Sequence, residues 1–287
     1  MNLKFNSLLE FWDRLWKRKL AIVSLGILIC LFIVAAAAPI ISPYPPNQTD
    51  MLATLEGPSG AHPLGTDGLG RDILSRIFYG ARISLMVGFS AVLFATLIGI
   101  ILGSVSGFYG GGIDTVIMRV MDMLFAFPAI LLAMLLMSVL GQGLGTTILA
   151  IGIVSIPRFS RLVRGTVLSA REEEYVKAAQ SIGCKDSRIM FRHILPNVMA
   201  PITVNTTMSI STAILYTSAL GFLGLGVEPP QAEWGSMLAK GRTYIFNGPH
   251  VIYFPGLAIF ITVLAFNLFG DGLRDAIDPK MKTKTGR

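Results

Sequence analysis

Apolar residues in this chain fall in long, nearly charge-free runs, not in the two-residue alternation of strands or the one-sided stripe of a soluble helix. The runs are Leu20 to Thr49, Ile83 to Ile113, Met123 to Pro157, His193 to Val227 and Val251 to Gly270. A helical span needs about 20 mostly apolar residues. The first run supplies a span over 20–42, and the second supplies one from Ile83 to about Gly107. The third run is long enough for two spans hinged at Gly141-Gln-Gly-Leu-Gly145, the latter ending with Arg158 and Arg161 reaching toward headgroups. A fifth span is predicted from about Pro201 to Phe222 and a sixth from Val251 to Gly270. The fold class that follows is an all-α membrane protein with six transmembrane helices.

Composition agrees with the runs. With 53% hydrophobic residues, 14% charged and a mean hydropathy of +0.64, the chain needs lipid as solvent. The basic residues then set the orientation, because Lys and Arg near span ends concentrate on the cytoplasmic side. Placing the N-terminus inside leaves only Arg71, Arg76, Arg82, Lys240 and Arg242 of the 24 basic residues outside. Both termini are therefore expected in the cytoplasm, and the net charge of +7 reads mainly as a topology signal. Nucleic-acid binding is the weaker explanation, since the cations are divided among membrane-proximal loops.

The segments that result are a cytoplasmic N-terminal stretch (1–19), the first span (20–42), an extracytoplasmic loop (43–82), a five-helix core (83–270) and a cytoplasmic tail (271–287). The core includes a cytoplasmic loop at 158–198 and an extracytoplasmic loop at 223–250. Lys17-Arg-Lys19 followed by an apolar run resembles a signal peptide, but the run exceeds a signal core of roughly 7–15 residues and is expected to be retained. Leu8, Phe11, Trp12, Leu15 and Trp16 at helical spacing predict a short helix lying in the cytoplasmic interface.

Candidate chemistry is sparse. Cys30 in a span and Cys184 in a cytoplasmic loop are not expected to pair or to hold a metal. No P-loop sequence occurs, and the glycine clusters at Gly65 to Gly70 and Gly221 to Gly226 read as turns, not dinucleotide fingerprints. His62, His193 and His250 are placed on different faces, so no metal site is expected from them. Gly57-Pro-Ser-Gly60 has the form found around the serine of intramembrane proteases, yet Ser59 sits in a loop and no span core offers a histidine base; a turn is the better reading.

The charged island from Glu174 to Pro196 is the most informative segment. Glu174 to Ile182 reads as an amphipathic helix with Tyr175, Ala178 and Ile182 on one side. Gly183 lets the chain reverse, Asp186 is expected to cap a second helix reaching His193, and Pro196 to close it. Ala178, Ala179, Gly183, Leu195 and Pro196 fall at the spacing of the EAA loop of ATP-binding cassette (ABC) importer permeases. Lys177 stands where that pattern usually has Glu, and His193 where it usually has Ile. A basic loop bound to anionic headgroups is the plainer alternative.

Four further blocks narrow the resemblance to the permeases of dipeptide, oligopeptide and nickel importers. They are His62-Pro-Leu-Gly-Thr-Asp-Gly-Leu-Gly-Arg-Asp-Ile-Leu-Ser-Arg76 with Tyr79 to Leu85, Met118 to Pro128, Gly221 to Pro230 with Glu233-Trp-Gly235, and Gly270 to Pro279. The additional first span is most similar to the "C"-type member of the permease pair. The resemblance implies a type I importer permease fold in the cytoplasmic (inner) membrane, with Glu174, Tyr175, Lys177, Ala178, Ala179, Gly183, His193, Leu195 and Pro196 coupling it to an ATPase. It further implies a second, "B"-type permease, two ATPase subunits that bind ATP and Mg, and an extracytoplasmic solute-binding protein. No cofactor, metal or catalytic site of this chain's own is expected. The solute-binding protein is expected to meet the 227–250 loop at Glu228, Glu233 and Trp234. Nickel-chelate and glutathione importers share these blocks. A secondary transporter is the reading from a different class, disfavoured because Asp122 is a poor ion-coupling residue.

Two stripes lie within the spans. Ser84, Gly88, Ala91, Ala95, Gly99 and Gly103 form a small-residue face for close helix packing. Asn205, Ser209, Thr212 and Tyr216 form a polar face that either lines a translocation path or bonds to a neighbouring helix.

Overall fold

The computed structural model describes Trp16 and residues 18–277. The interfacial helix expected at the N-terminus, apart from Trp16, and the tail beyond Ile277 lie outside the described residues. The long helices are α1 (Lys19–Ile41), α2 (Ile73–Tyr109), α5 (Leu144–Arg171), α8 (Leu195–Phe222) and α10 (His250–Ile277). Between them lie α3 (Gly111–Phe125), α4 (Ala129–Leu140), α6 (Glu174–Ser181), α7 (Asp186–Arg188) and α9 (Trp234–Gly241). A π-helical segment, Ile189–Ile194, joins α7 directly to α8. No strand occurs among the described residues.

Among the described residues, five helices are long and apolar enough to cross a bilayer, and the bent pair α3–α4 makes a sixth crossing only if it is one broken span. The sequence predicts a continuous third span after Met123, whereas α3 and α4 meet at 89°. Pro128 accounts for the break: it lacks an N–H and disfavours helical backbone at Phe127. The second helix also starts at Ile73, well before the expected Ile83. Asp72 caps it, its carboxylate accepting from the Ser75 N–H at 2.7 Å, so the helix projects beyond its apolar run.

α2 packs along α5, and the small-residue face makes this close approach possible. Ser84, Gly88, Ala91, Ala95, Gly99 and Gly103 are all buried. A Cβ on Gly103 would stand 2.5 Å from the Ser160 carbonyl oxygen, so only glycine fits there. Further along, Ile210 and Ile214 of α8 reach over Gly88. α10 lies against α8 and α1, with Gly270 accommodating Met208. Outward-facing Leu93, Leu97 and Ile101 on α2, and Leu257, Phe260 and Leu264 on α10, remain exposed, as lipid-facing positions require.

Residues 43–72 form a compact cap over the start of α2. Asp72 is approached by His62 Nδ1 at 3.0 Å, and Tyr44 stacks at 4.8 Å on the His62 ring. His250 Nε2 lies 3.1 Å from the Thr66 carbonyl oxygen. His62 and His250, placed on different faces by the sequence, thus close on one loop, where they serve as hydrogen-bonding groups. Gly65 and Gly70 take positive φ in its turns.

Candidate coupling site and translocation face

At one end of the bundle, α6 and the π segment sit on a hydrophobic cluster of their own. Val176 and Ala179 of α6 join Ile189, Met190 and Ile194 against Phe108 of α2, Val163 and Val167 of α5, and Val198 of α8. Ala179 is therefore a packing residue. The opposite face of α6 is open: Tyr175, Lys177 and Ala178 are exposed, Ile182 is 80% exposed, and Phe191 on the next segment is 69% exposed. Apolar side chains raised on a firmly seated support, and rimmed by Glu174, Lys177 and Arg192, make a surface suited to a protein partner.

Gly183 adopts φ +75°, and no atom lies within 4 Å of the point a Cβ would occupy, so the turn needs glycine for its backbone alone. Two expectations for this segment are corrected. Asp186 is the first residue of its helix and Lys185 occupies the cap, so Asp186 acts through its charge at the positive helix end. Pro196 does not close the helix; the π segment before it, in which the Leu195 N–H reaches back to the Met190 carbonyl, carries the helix past the proline's missing N–H into α8. His193 and Leu195 are half-buried in this continuous rod, and the His193 carbonyl accepts from Asn197 Nδ2 at 2.8 Å.

α5 presents Arg158, Arg161 and Arg164 at three-residue steps, each held by a neighbouring helix. Arg158 Nη2 donates to Asn205 Oδ1 of α8 at 3.1 Å. Arg161 pairs with Asp122 at 2.7 Å and lies over the Phe125 ring, and Arg164 makes a two-pronged ion pair with Asp114, at 2.5 and 2.6 Å. The expected headgroup-seeking Arg158 and Arg161 thus have protein partners, because α5 continues to Arg171 instead of ending with them. The sequence alone assigns no role to Arg164 and Asp114; their signal was a lone acid just after the Gly110 to Gly112 run and a basic step along α5.

The polar stripe of α8 is divided. Asn205 lines a cavity of about 690 Å³ together with Arg158, Asn197, Met208 and Arg274. Ser209 is only 5% exposed and its hydroxyl has no partner among the described residues, whereas Thr212 and Tyr216 are half-buried. Of the stripe, Asn205 bonds to a neighbouring helix, accepting from Arg158 of α5, while two further inter-helix hydrogen bonds of α8 come from positions outside it, Ser211 to Asn267 of α10 and Thr206 with Thr96 of α2.

At the other end, the loop block and α9 interlock. Glu233 and Trp234 are fully buried, which removes them from contact with a docked protein and corrects that expectation. Glu233 caps α9, accepting from the Gly235 and Ser236 N–H groups at 2.7 and 2.8 Å, and Trp234 Nε1 donates to the Ile77 carbonyl at 3.1 Å. Burial pushes the Glu233 carboxyl up to about 7, against the two backbone donors that pull it down. Gly221 leaves room for that carboxylate, and Gly235 sits against the Ser218 backbone. Glu228 is exposed.

The described residues form a helical membrane subunit: a bundle of apolar helices with a bent α3–α4 pair, a protruding two-helix loop at one end and a folded cap at the other. The chain belongs to the family described as "binding-protein-dependent transport system inner membrane component", which matches residues 95–283. Residues 7–58 match the N-terminal transmembrane domain of oligopeptide transport permease C. The dipeptide transport system permease protein DppC of Alkalihalophilus pseudofirmus is 49% identical over 96% of this chain and 90% of its own length. The glutathione transport system permease protein GsiD of Pectobacterium atrosepticum is 47% identical over 96% of this chain and 91% of its own. The di/tripeptide permease DppC of Pseudomonas aeruginosa is 46% identical over 95% and 92%. Among solved structures, an inward-facing MetNI methionine ABC transporter chain shares the fold with a TM-score of 0.60 at 18% identity, covering 72% of this chain and 98% of that one.

Proposed function

We propose that this chain is the transmembrane permease subunit of an ABC importer that carries dipeptides and short peptides across the cytoplasmic membrane. The observation that carries the reading is the match along nearly the whole chain to a dipeptide permease at 49% identity. Two separate ATPase subunits bind ATP and Mg, a second homologous permease completes the path, and an extracytoplasmic solute-binding protein delivers the peptide. Both termini lie in the cytoplasm, which puts α6 and Gly183 on the ATPase side and α9 outside. The Tyr175, Ala178 and Ile182 face enters a groove on the ATPase. Glu174, Lys177, His193, Leu195 and Pro196 rim or support that contact, and the hydrophobic cluster beneath α6 transmits its movement to α2, α5 and α8.

Transport then follows from alternating access. ATP-driven closure of the ATPases shifts α6, and the rods α5 and α8 move with it because they share one packed cluster. The solute-binding protein biases this cycle only through contacts that differ between permease states. Glu228, at the exposed turn before α9, is a contact available to it. Asn205, Thr212 and Tyr216 face the path, with Ser209 behind them.

The test is uptake into proteoliposomes holding this chain, its partner permease and both ATPases, with the solute-binding protein outside. ATP-dependent accumulation of labelled alanyl-alanine is expected; its absence, with accumulation of glutathione instead, would select the glutathione reading that the second group of relatives supports.

A further inference from the structure

Four of the five basic residues assigned to the extracytoplasmic side gather around one cavity. The cavity, about 380 Å³, lies between the 43–72 cap and α9, and Arg71, Arg76, Lys240 and Arg242 line it together with Asp67 and Tyr244. Topology does not account for this, since outside loops are depleted of Lys and Arg. Asp67 is the one acid present. Its carboxylate is already occupied by Arg71 at 2.6 Å and also accepts from the Leu69 and Arg71 backbone N–H groups.

Arg76 is 1% exposed. Its Nη1 donates to the Pro46 carbonyl and Asn47 Oδ1, and its Nε stands 3.7 Å from Asp67 Oδ2. Its Nη2 is buried without any partner among the described residues. A buried guanidinium with an unused N–H is costly unless something else accepts from it. Burial, and then the charges of Arg71 and Arg76, also hold the Lys240 ammonium below its ordinary value, a strain that an anion would relieve. One carboxylate cannot neutralise four cations, so the cavity is short of negative charge.

We infer that this cavity is an anion site that receives the α-carboxylate of a peptide on its way into the permease. Arg76 and Lys240 both line the cavity and supply the cationic donors that a carboxylate would need there. Every peptide with a free C-terminus carries that group at neutral pH, so such a site holds peptides without reading their side chains. The volume lies within the range of small-molecule pockets. The choice of peptide rests on the function proposed above; the anion chemistry does not.

The experiment measures calorimetric binding of alanyl-alanine, of its C-terminal amide and of acetate to the purified assembly of both permeases and both ATPases, without the solute-binding protein. The acid is expected to bind about tenfold more tightly than the amide, the size of one charge-assisted hydrogen bond. Lys240→Gln, at the exposed mouth, is expected to abolish that preference while leaving amide binding unchanged, and Arg76→Lys to weaken the acid in the same way. Equal affinity for acid and amide, or an unaltered preference in Lys240→Gln, overturns the inference. If Lys240→Gln instead weakens docking of the peptide-free binding protein and not peptide binding, the carboxylate belongs to that protein and the peptide assignment is wrong. Should the wild-type assembly transport no peptide yet bind acetate through Lys240, the proposed function fails and the anion site stands.

Discussion

Gly183 and Glu233 are single residues whose backbone or burial state decides the behaviour of a whole segment. At Gly183 the positive φ is the only constraint, because no neighbour would meet a side chain. Gly183→Val is therefore expected to cost about 1–3 kcal/mol through backbone strain alone, without disturbing the cluster that seats α6. The variant should insert and pair with its partner permease, yet lose ATPase copurification or substrate-stimulated hydrolysis; full stimulated hydrolysis would show that this turn does not couple. Glu233 is governed by burial. Its carboxyl, near 4.5 in the unfolded chain, is pushed up to about 7 in the fold, so between these values the folded state holds a proton that the unfolded state releases. The stabilisation is complete below the lower value and is lost as pH rises through the upper one. Hydrogen exchange of α9 should quicken from pH 5 to pH 8 beyond its intrinsic base dependence. In Glu233→Gln that excess should vanish, and an excess that persists would assign it to another group.

The helices were legible to the extent that their cause was local. Long apolar runs located α1, α8 and α10, and the small-residue stripe of α2 is the face that packs on α5. What the sequence hid depends on context. Pro128 stands at the break between α3 and α4, while Pro196 lies within a continuous helical rod because the π segment before it takes up its missing N–H. Glu233 and Trp234 carry the composition of an interface and are nonetheless buried, since their partners, Ile77 and Gly221, come from distant segments that no periodicity reports. The polar stripe of α8 is a similar case, its middle member Ser209 being enclosed. A path test therefore belongs at Thr212, which is half-buried, and not at Ser209, where a large side chain would disturb packing. Thr212→Trp is expected to reduce peptide uptake severely with assembly and basal ATP hydrolysis intact; normal uptake would move the path to another face.

For the molecule as a whole, orientation decides which end meets the ATPases and which meets the solute-binding protein. Charge distinguishes the two ends: the α6 end carries Arg158, Arg161, Arg164, Arg171, Lys177, Lys185, Arg188 and Arg192, whereas the α9 end holds few cations and partly encloses them. They are also built differently, one presenting an apolar face on a seated helix and the other a folded cap stitched by Asp72, His62 and His250. Single cysteines can separate the two orientations once Cys30 and Cys184 are replaced by Ser. Ser59, Gln231 and Ser181 are all exposed, so each is open to a water-soluble reagent on its own side. In intact cells an impermeant maleimide is expected to label Ser59→Cys and Gln231→Cys within minutes and to spare Ser181→Cys until the membrane is permeabilised. The reverse pattern would invert the bundle, placing α6 outside and removing it from any ATPase. Labelling of Ser59→Cys and Ser181→Cys, with Gln231→Cys spared, would mean instead that the bent α3–α4 pair returns to the side it entered from. The chain would then cross an odd number of times, and α6 would lie outside, where no ATPase could reach it.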